Sequence, residues 1–116
     1  MRKEVAEKWV KALRSGEFLQ GKTQLRSENH YCCLGVLCEL YRQETGNGEW
    51  TEKGFCSFGE TLEGLPPMAV RDWAGLCSLS GTLSLFGNPS LVTMNDSLSK
   101  SFEQLADYIE KYQEEL

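Results

Sequence analysis

The stretch HYCCLGVLCELY, residues 30–41, decides the fold, because a helix over most of it would be apolar on nearly every side. From Cys33 onward the apolar residues recur at helical spacing, which predicts a helix over residues 33–44. These apolar positions are Leu34, Val36, Leu37, Cys38, Leu40 and Tyr41. A helix of this kind is normally buried, so we expect it at the centre of the domain. Gly35 within it would let another backbone or an aromatic ring approach closely.

Amphipathic and turn patterns on either side of this stretch predict the remaining elements. They are a helix over residues 3–14, a hairpin turning at Glu28-Asn29, a hairpin turning at Lys53-Gly54, a short helix ending at Gly75, two strands about residues 87–89, and a last helix with a capping box at Ser101 and Gln104. Helices around short strand pairs indicate an α+β fold. We therefore expect one domain over residues 1–116, with three to four helices packed against short antiparallel strand pairs.

The charge distribution narrows the class of partner. The chain has 116 residues and a net charge of −5, which argues against general binding of nucleic acid. Residues 1–30 carry seven bases against four acids, whereas the remainder carries five bases against thirteen acids. A small anion would therefore be favoured at the N-terminal end. No apolar run has the length of a membrane span and no signal region leads the chain, so we expect a cytoplasmic protein without membrane partners.

The cysteines in the opening stretch allow three interpretations. A structural zinc site is disfavoured because the sequence has no C-x-x-C pair and one histidine, so that His30, Cys32, Cys56 and Cys77 would have to meet from distant segments. We expect no metal and no cofactor. A nucleophile is conceivable, since Cys32 or Cys33 would lie at a helix N-terminus near His30. The favoured interpretation is that Cys33 and Cys38 are small core residues.

Candidate ligand-binding residues lie mainly outside that stretch. The basic segment before it carries Arg14, Lys22 and Arg26, and arginine and lysine bind phosphates well. Phe18 and Gln20 lie between them, and the rings of Phe18, Tyr31 and Trp50 could stack on a base. Asn95 and Asp96 precede the last helix in what reads as a turn. The alternatives are an exposed basic surface for the segment and satisfaction of local backbone groups for the pair.

Several blocks of the sequence, in this order, resemble a widespread family of small tailed-bacteriophage proteins. The blocks are WVKALRSGEFLQGK, YCCLGVLCELY, VRDWAGL, MND and SFEQLADYIE. The polar residues that match the family pattern are Arg14, Gln20, Asn95 and Asp96, and the matching core residues are Trp9, Cys32, Cys33, Leu34, Gly35 and Trp73. Met94 stands where that family usually has leucine, and SLSK replaces its usual glycine-containing turn. The resemblance implies an origin but no particular chemistry.

The expected function follows from the basic segment, its aromatic neighbours and the phage resemblance together. We expect a non-enzymatic phage accessory protein that antagonises bacterial defence by binding and sequestering a small anionic, nucleotide-derived signal in the host cytoplasm. A homo-oligomer is possible, with sites at subunit contacts. One alternative is a protein-binding inhibitor of a host factor that uses the acidic C-terminal two-thirds of the chain. The other is a cysteine-dependent enzyme that uses Cys32 or Cys33.

Overall fold

The structure is a computed structural model that describes residues 1–62, 64–82 and 89–116. Within these ranges the elements are α1 (Lys3–Arg14), β1 (Leu19–Gln20), β2 (Arg26–Ser27), β3 (His30–Tyr31), α2 (Cys33–Thr45), β4 (Glu49–Thr51), β5 (Gly54–Ser57), β6 (Glu60–Leu62), α3 (Met68–Ala74), α4 (Leu91–Asp96) and α5 (Phe102–Tyr112). Helices and mostly antiparallel strands in separate groups confirm the predicted α+β class. No helix in the described ranges is long and apolar enough to cross a membrane.

Helix α2 lies at the centre, as its sequence predicts. It is buried continuously from Cys33 to Glu39, and its apolar side chains belong to one core cluster. Gly35 is the point of closest approach, because a Cβ there would overlap the backbone carbonyl of Leu25. The expected close neighbour is therefore a backbone segment rather than an aromatic ring. Gly46 ends the helix in the left-handed conformation.

The two terminal helices pack on each other, and α1 also packs on α2. The apolar face of α1 is buried as its spacing predicts: Val5, Ala6, Trp9, Val10 and Leu13. Trp9 also donates a hydrogen bond from Nε1 to the carbonyl oxygen of Cys33, at 2.9 Å, which ties α1 to the start of α2. Helix α5 begins with the predicted capping box, formed by Ser101 and Gln104.

Two small sheets extend from this helical core. The predicted hairpin at Glu28-Asn29 is confirmed, since β2 and β3 pair antiparallel, and β1 adds a parallel partner to β3 that the sequence did not predict. The hairpin at Lys53-Gly54 is also confirmed, as β4 pairs antiparallel with β5. Strand β6 extends this pair to three strands in the order β4-β5-β6. The first sheet brings Arg26 opposite Tyr31, and the second places Trp50 opposite Phe55.

The prediction of strands about residues 87–89 is wrong where the structure describes it. The second of these strands is instead helix α4, which begins after Ser90, whose side chain accepts a hydrogen bond from the Thr93 amide at 3.1 Å. Leu91 and Met94, three residues apart, are both buried, and this helical spacing prevails over the β-branched residues between them. The other predicted strand falls largely on residues 83–88, outside the described residues. Asn95 and Asp96 consequently lie in a helix, not in a turn.

Candidate functional site

The nine residues predicted to bind a ligand fall into three places in the fold. Arg14 lies on α1 beside α5. Gln20, Asn95 and Asp96 form a hydrogen-bonded group between the first sheet and α4, which we call the Asn95 hub. Those that remain lie on or beside the two sheets: Phe18, Lys22, Arg26, Tyr31 and Trp50.

Asn95 is fully buried, and every hydrogen-bonding position on its side chain is used within the chain. Its Oδ1 accepts from Gln20 Nε2 at 3.0 Å and from the Cys33 amide at 3.3 Å. Its Nδ2 donates to the Gly21 carbonyl and to Asp96 Oδ1, both at 2.8 Å. The amide of Cys33 is one of the free donors at the start of α2, so Asn95 caps that helix from a distant part of the chain.

Gln20 completes the same hub. Its Nε2 donates to the Lys100 carbonyl at 2.7 Å as well as to Asn95, and its Oε1 accepts from the Phe102 amide at 3.0 Å. The side chain therefore joins β1 to the start of α5. The hydrogen bonds of Gln20 and Asn95 hold β1, α2, α4 and α5 together, so the hub has a structural role.

Arg14 is surrounded by carboxylates of α5. Its guanidinium lies 2.6 Å from Asp107 and 3.1 Å from Glu110, with Glu103 at 3.6 Å. Hydrogen bonds to Glu110 and Asp107 raise the pKa of Arg14 above its ordinary value. Three acids around one base leave a local excess of negative charge, so this position does not attract a phosphate.

Three rings form a continuous line across the two sheets, and we call Phe18, Tyr31 and Trp50 the aromatic row. The centroids of Phe18 and Tyr31 are 5.0 Å apart, and those of Tyr31 and Trp50 are 5.8 Å apart, both in edge-to-face arrangement. All three side chains are half-buried. The Arg26 guanidinium lies over the Trp50 ring, 4.7 Å from its centroid, within the range of a cation–π interaction. A cation thus sits on an aromatic surface, the combination that nucleotide binding uses.

Glu39, which the sequence analysis missed, fixes the position of Trp50. Its buried carboxylate accepts from Trp50 Nε1 at 2.9 Å, from Gln43 Nε2 at 3.0 Å and from Arg42 at 2.7 Å and 2.9 Å. The hydrogen bonds from Arg42 contribute most to lowering the pKa of Glu39 to about 2, against the opposing effect of burial. A signal was present, since Glu39 is an acid on a helix that is otherwise apolar on most sides.

Arg26 and Lys22 differ from the four described cations that form ion pairs with carboxylates. Lys8, Arg14, Arg42 and Arg71 each pair with a carboxylate. In the part of the chain that the structure describes, no carboxylate pairs with Arg26 or Lys22. Lys22 donates instead to the Ser99 hydroxyl at 2.7 Å. Both cations are exposed, and their positive charge is available to an anion.

The cysteines of the opening stretch are core residues, as the favoured interpretation predicts. Cys32, Cys33 and Cys38 are buried, Cys56 is half-buried and Cys77 is exposed, all as free thiols. Burial raises the pKa of Cys32 to about 11 and the pKa values of Cys33 and Cys38 well above their ordinary value. At Cys32, desolvation outweighs the backbone amides at the start of α2, which favour the thiolate. Among residues 1–62, 64–82 and 89–116, no histidine, cysteine and carboxylate group is arranged to hold a metal ion.

The fold and this surface define a small α+β domain with an exposed cation on a half-buried aromatic row. The chain belongs to the family described as Domain of unknown function (DUF8296), whose model matches residues 1–113. No curated protein and no solved structure matches the chain. The matched region includes every described element from α1 to α5, so both the Asn95 hub and the aromatic row lie inside it.

Proposed function

We propose that this protein binds a small anionic, nucleotide-derived molecule on the aromatic row and sequesters it without catalysis. The observation that carries the proposal is the Arg26 guanidinium over Trp50, exposed and without a carboxylate partner among the described residues. Phosphate oxygens are the strongest natural partners of such a guanidinium. A base would stack on the ring of Trp50 while Arg26 turns towards the phosphate.

The neighbouring side chains support this geometry. Tyr31 and Phe18 extend the aromatic surface beyond Trp50, and Glu39 holds the indole by its Nε1 so that the ring needs no reordering on binding. Lys22 supplies a second exposed cation near the first sheet. In a homo-oligomer, a second copy of the chain would close over the ligand.

The biological setting is part of the proposal. The resemblance to small tailed-bacteriophage proteins supports an accessory role in an infected bacterium. Removal of a nucleotide-derived immune signal in the host cytoplasm would make the protein an antagonist of bacterial defence. Sequestration demands affinity and abundance but no catalytic group.

Isothermal titration and thermal-shift measurements test the proposal against cyclic mononucleotides, cyclic dinucleotides and ADP-ribose-type ligands. We expect saturable binding of at least one ligand, weakened at least about tenfold by Arg26→Gln, because a charge-assisted bond to phosphate is lost. Lys3→Gln is the matched control, since it removes one exposed positive charge from α1, away from the aromatic row. Absence of heat and of any melting shift with every ligand at about 1 mM, where even weak sites fill, contradicts the proposal.

A second candidate function is binding and inhibition of a host protein. The observation that favours it is a line of exposed acids along one side of α5, Glu103, Asp107 and Glu110, which Glu114 continues in the turn after the helix. Arg14 offsets one of these charges, and the remaining excess would suit a basic partner surface. A stoichiometric partner that survives nuclease treatment and is lost when Asp107 and Glu114 are changed to Asn and Gln supports this candidate. Retention of the partner by that variant contradicts it.

A further inference from the structure

The turn between β5 and β6 has an unusual residue at its tip. Ser57 pairs with Glu60, so Phe58 and Gly59 form a two-residue hairpin loop. Both have positive φ angles, 51° at Phe58 and 79° at Gly59, which is the signature of a type I′ turn. Such turns favour Asn or Asp followed by Gly, because a bulky side chain in the left-handed region is strained. Phe58 is therefore poorly suited to the backbone conformation it occupies.

The same side chain gains nothing from burial. Phe58 is 83% exposed, more than the other large exposed apolar side chains of the described chain, which are Leu19, Met68 and Leu98. Among the described residues, the other non-glycine positions with positive φ are Thr23, Glu28 and Ser99, all polar. Single exposed apolar residues are common. A strained backbone and a solvent-facing phenyl ring at one position are both unfavourable in the free protein, and an Asn there would relieve both.

We propose that Phe58 is an anchor that inserts into an apolar cleft of a partner protein, and that the rim of this cleft is basic. Aromatic side chains, Phe among them, are enriched at the buried centres of protein interfaces. The base of the hairpin is tied to the start of α3, because the Glu60 carboxylate accepts a hydrogen bond from the Met68 amide. The β4–β6 segment, residues 49–62, carries three glutamates and one lysine. A complementary surface on the partner would therefore carry positive charge. Phe58 is not part of the aromatic row, although Trp50 of that row lies in the same sheet, and this proposal does not rest on nucleotide binding.

The decisive variant is Phe58→Asn, because the two roles of the side chain predict opposite results. Asn fits the turn, so the purified variant should melt at the same temperature as the wild type or higher. Binding of the partner should fall at least about tenfold, because the anchor ring is gone. Leu98→Asn is the matched control, since it removes another exposed apolar side chain, in the loop between α4 and α5. A fall in melting temperature with unchanged binding assigns Phe58 a structural role and overturns the proposal.

The partner is found by placing a photo-crosslinking benzoyl-phenylalanine at position 58, and in a parallel sample at position 98, in the full chain expressed in the host cell. We expect one protein adduct that is specific to position 58. The adducted protein, purified, should bind the wild type at a fixed stoichiometry and bind Phe58→Asn at least about tenfold more weakly. Four results overturn the proposal: no adduct specific to position 58, an adduct with a second copy of this chain, an adduct with lipid, or a purified partner that binds Phe58→Asn as well as the wild type.

Discussion

The Asn95 hub and the aromatic row were both predicted to bind a ligand, and the structure shows how differently they are built. At the hub, the fully buried side-chain amide of Asn95 forms all its hydrogen bonds within the protein. Its partners are Gln20, Cys33, Gly21 and Asp96. At the row, the half-buried rings retain some accessible surface, and the exposed guanidinium of Arg26 has no carboxylate partner among the described residues. Residue type alone does not separate these cases. The difference is whether the protein itself fills the bonding capacity of each polar group.

The largest effect is expected where the hub region meets the core, at Gly35. Gly35→Ala would force a Cβ into the backbone carbonyl of Leu25, a neighbour that cannot rotate away. We expect a loss of about 3 kcal/mol or more in the free energy of unfolding, or failure to fold. Urea unfolding followed by circular dichroism measures this. Gly59→Ala is a useful comparison, since nothing lies near a Cβ at that turn and only backbone strain opposes it. Equal costs at the two sites would contradict the close-approach argument.

A smaller but still large loss is expected for Asn95→Ala. It would leave the Cys33 amide and the Gly21 carbonyl without their partner inside the protein, at a cost of about 2–3 kcal/mol. Asp96→Asn is the matched control, because an amide oxygen at position 96 can still accept from Asn95 Nδ2 and the residue is only half-buried. If Asn95→Ala melted like the wild type and instead lost ligand binding, the hub would have to be reassigned as a site.

Much of the fold could be predicted because local patterns and tertiary demands agree. Local signals in the sequence already define three of the helices, and tertiary packing agrees with them. These signals are the apolar stripe of α1, the apolar pattern of α2 and the capping box of α5. Two features were not predicted. In the short α4, β-branched Val92 and Thr93 favour a strand in the sequence, although Ser90 caps a helix there. The parallel pairing of β1 with β3 is the second. Two-residue strands have no periodicity, so their pairing depends on contacts that no local pattern contains.

The candidate site was predicted less well for a related reason. The sequence identifies the basic and aromatic residues by type, but their grouping depends on which partners the fold supplies. Arg14 and Arg26 are alike in sequence context. In the fold, however, acids of α5 surround Arg14, whereas Arg26 lies over the ring of Trp50 in the second sheet. The partners lie 93 residues away in the first case, between Arg14 and Asp107, which is beyond the reach of any local pattern.

The buried carboxylate under the aromatic row gives a pH-dependent test. The pKa of Glu39 is lowered in the folded state to about 2 from an ordinary 4.5, so its contribution to stability is fully present above about pH 4.5. That contribution is lost as the pH falls from 4.5 towards 2. We expect Glu39→Gln to cost about 1 kcal/mol at pH 7 and to flatten the acid limb of the stability curve. Glu17→Gln, at an exposed position after α1, is the control. An acid limb unchanged by Glu39→Gln would contradict this assignment.

The smallest effect on stability is expected at Arg26. A small effect there would distinguish the aromatic row, as a binding surface, from the structural Asn95 hub. Arg26→Gln removes an exposed cation–π contact, which contributes less than about 1 kcal/mol, and orphans no carboxylate among the described residues. Thermal unfolding should therefore barely change, while Trp50 emission responds to the loss of the charge above its ring. Arg26 would then contribute little to folding, while it carries a charge unpaired among the described residues and covers an aromatic ring. These are the properties expected of a ligand-binding side chain. If Arg26→Gln instead destabilised the protein as strongly as Asn95→Ala, the aromatic row would be a second structural hub, and the proposed binding surface would lose its main support.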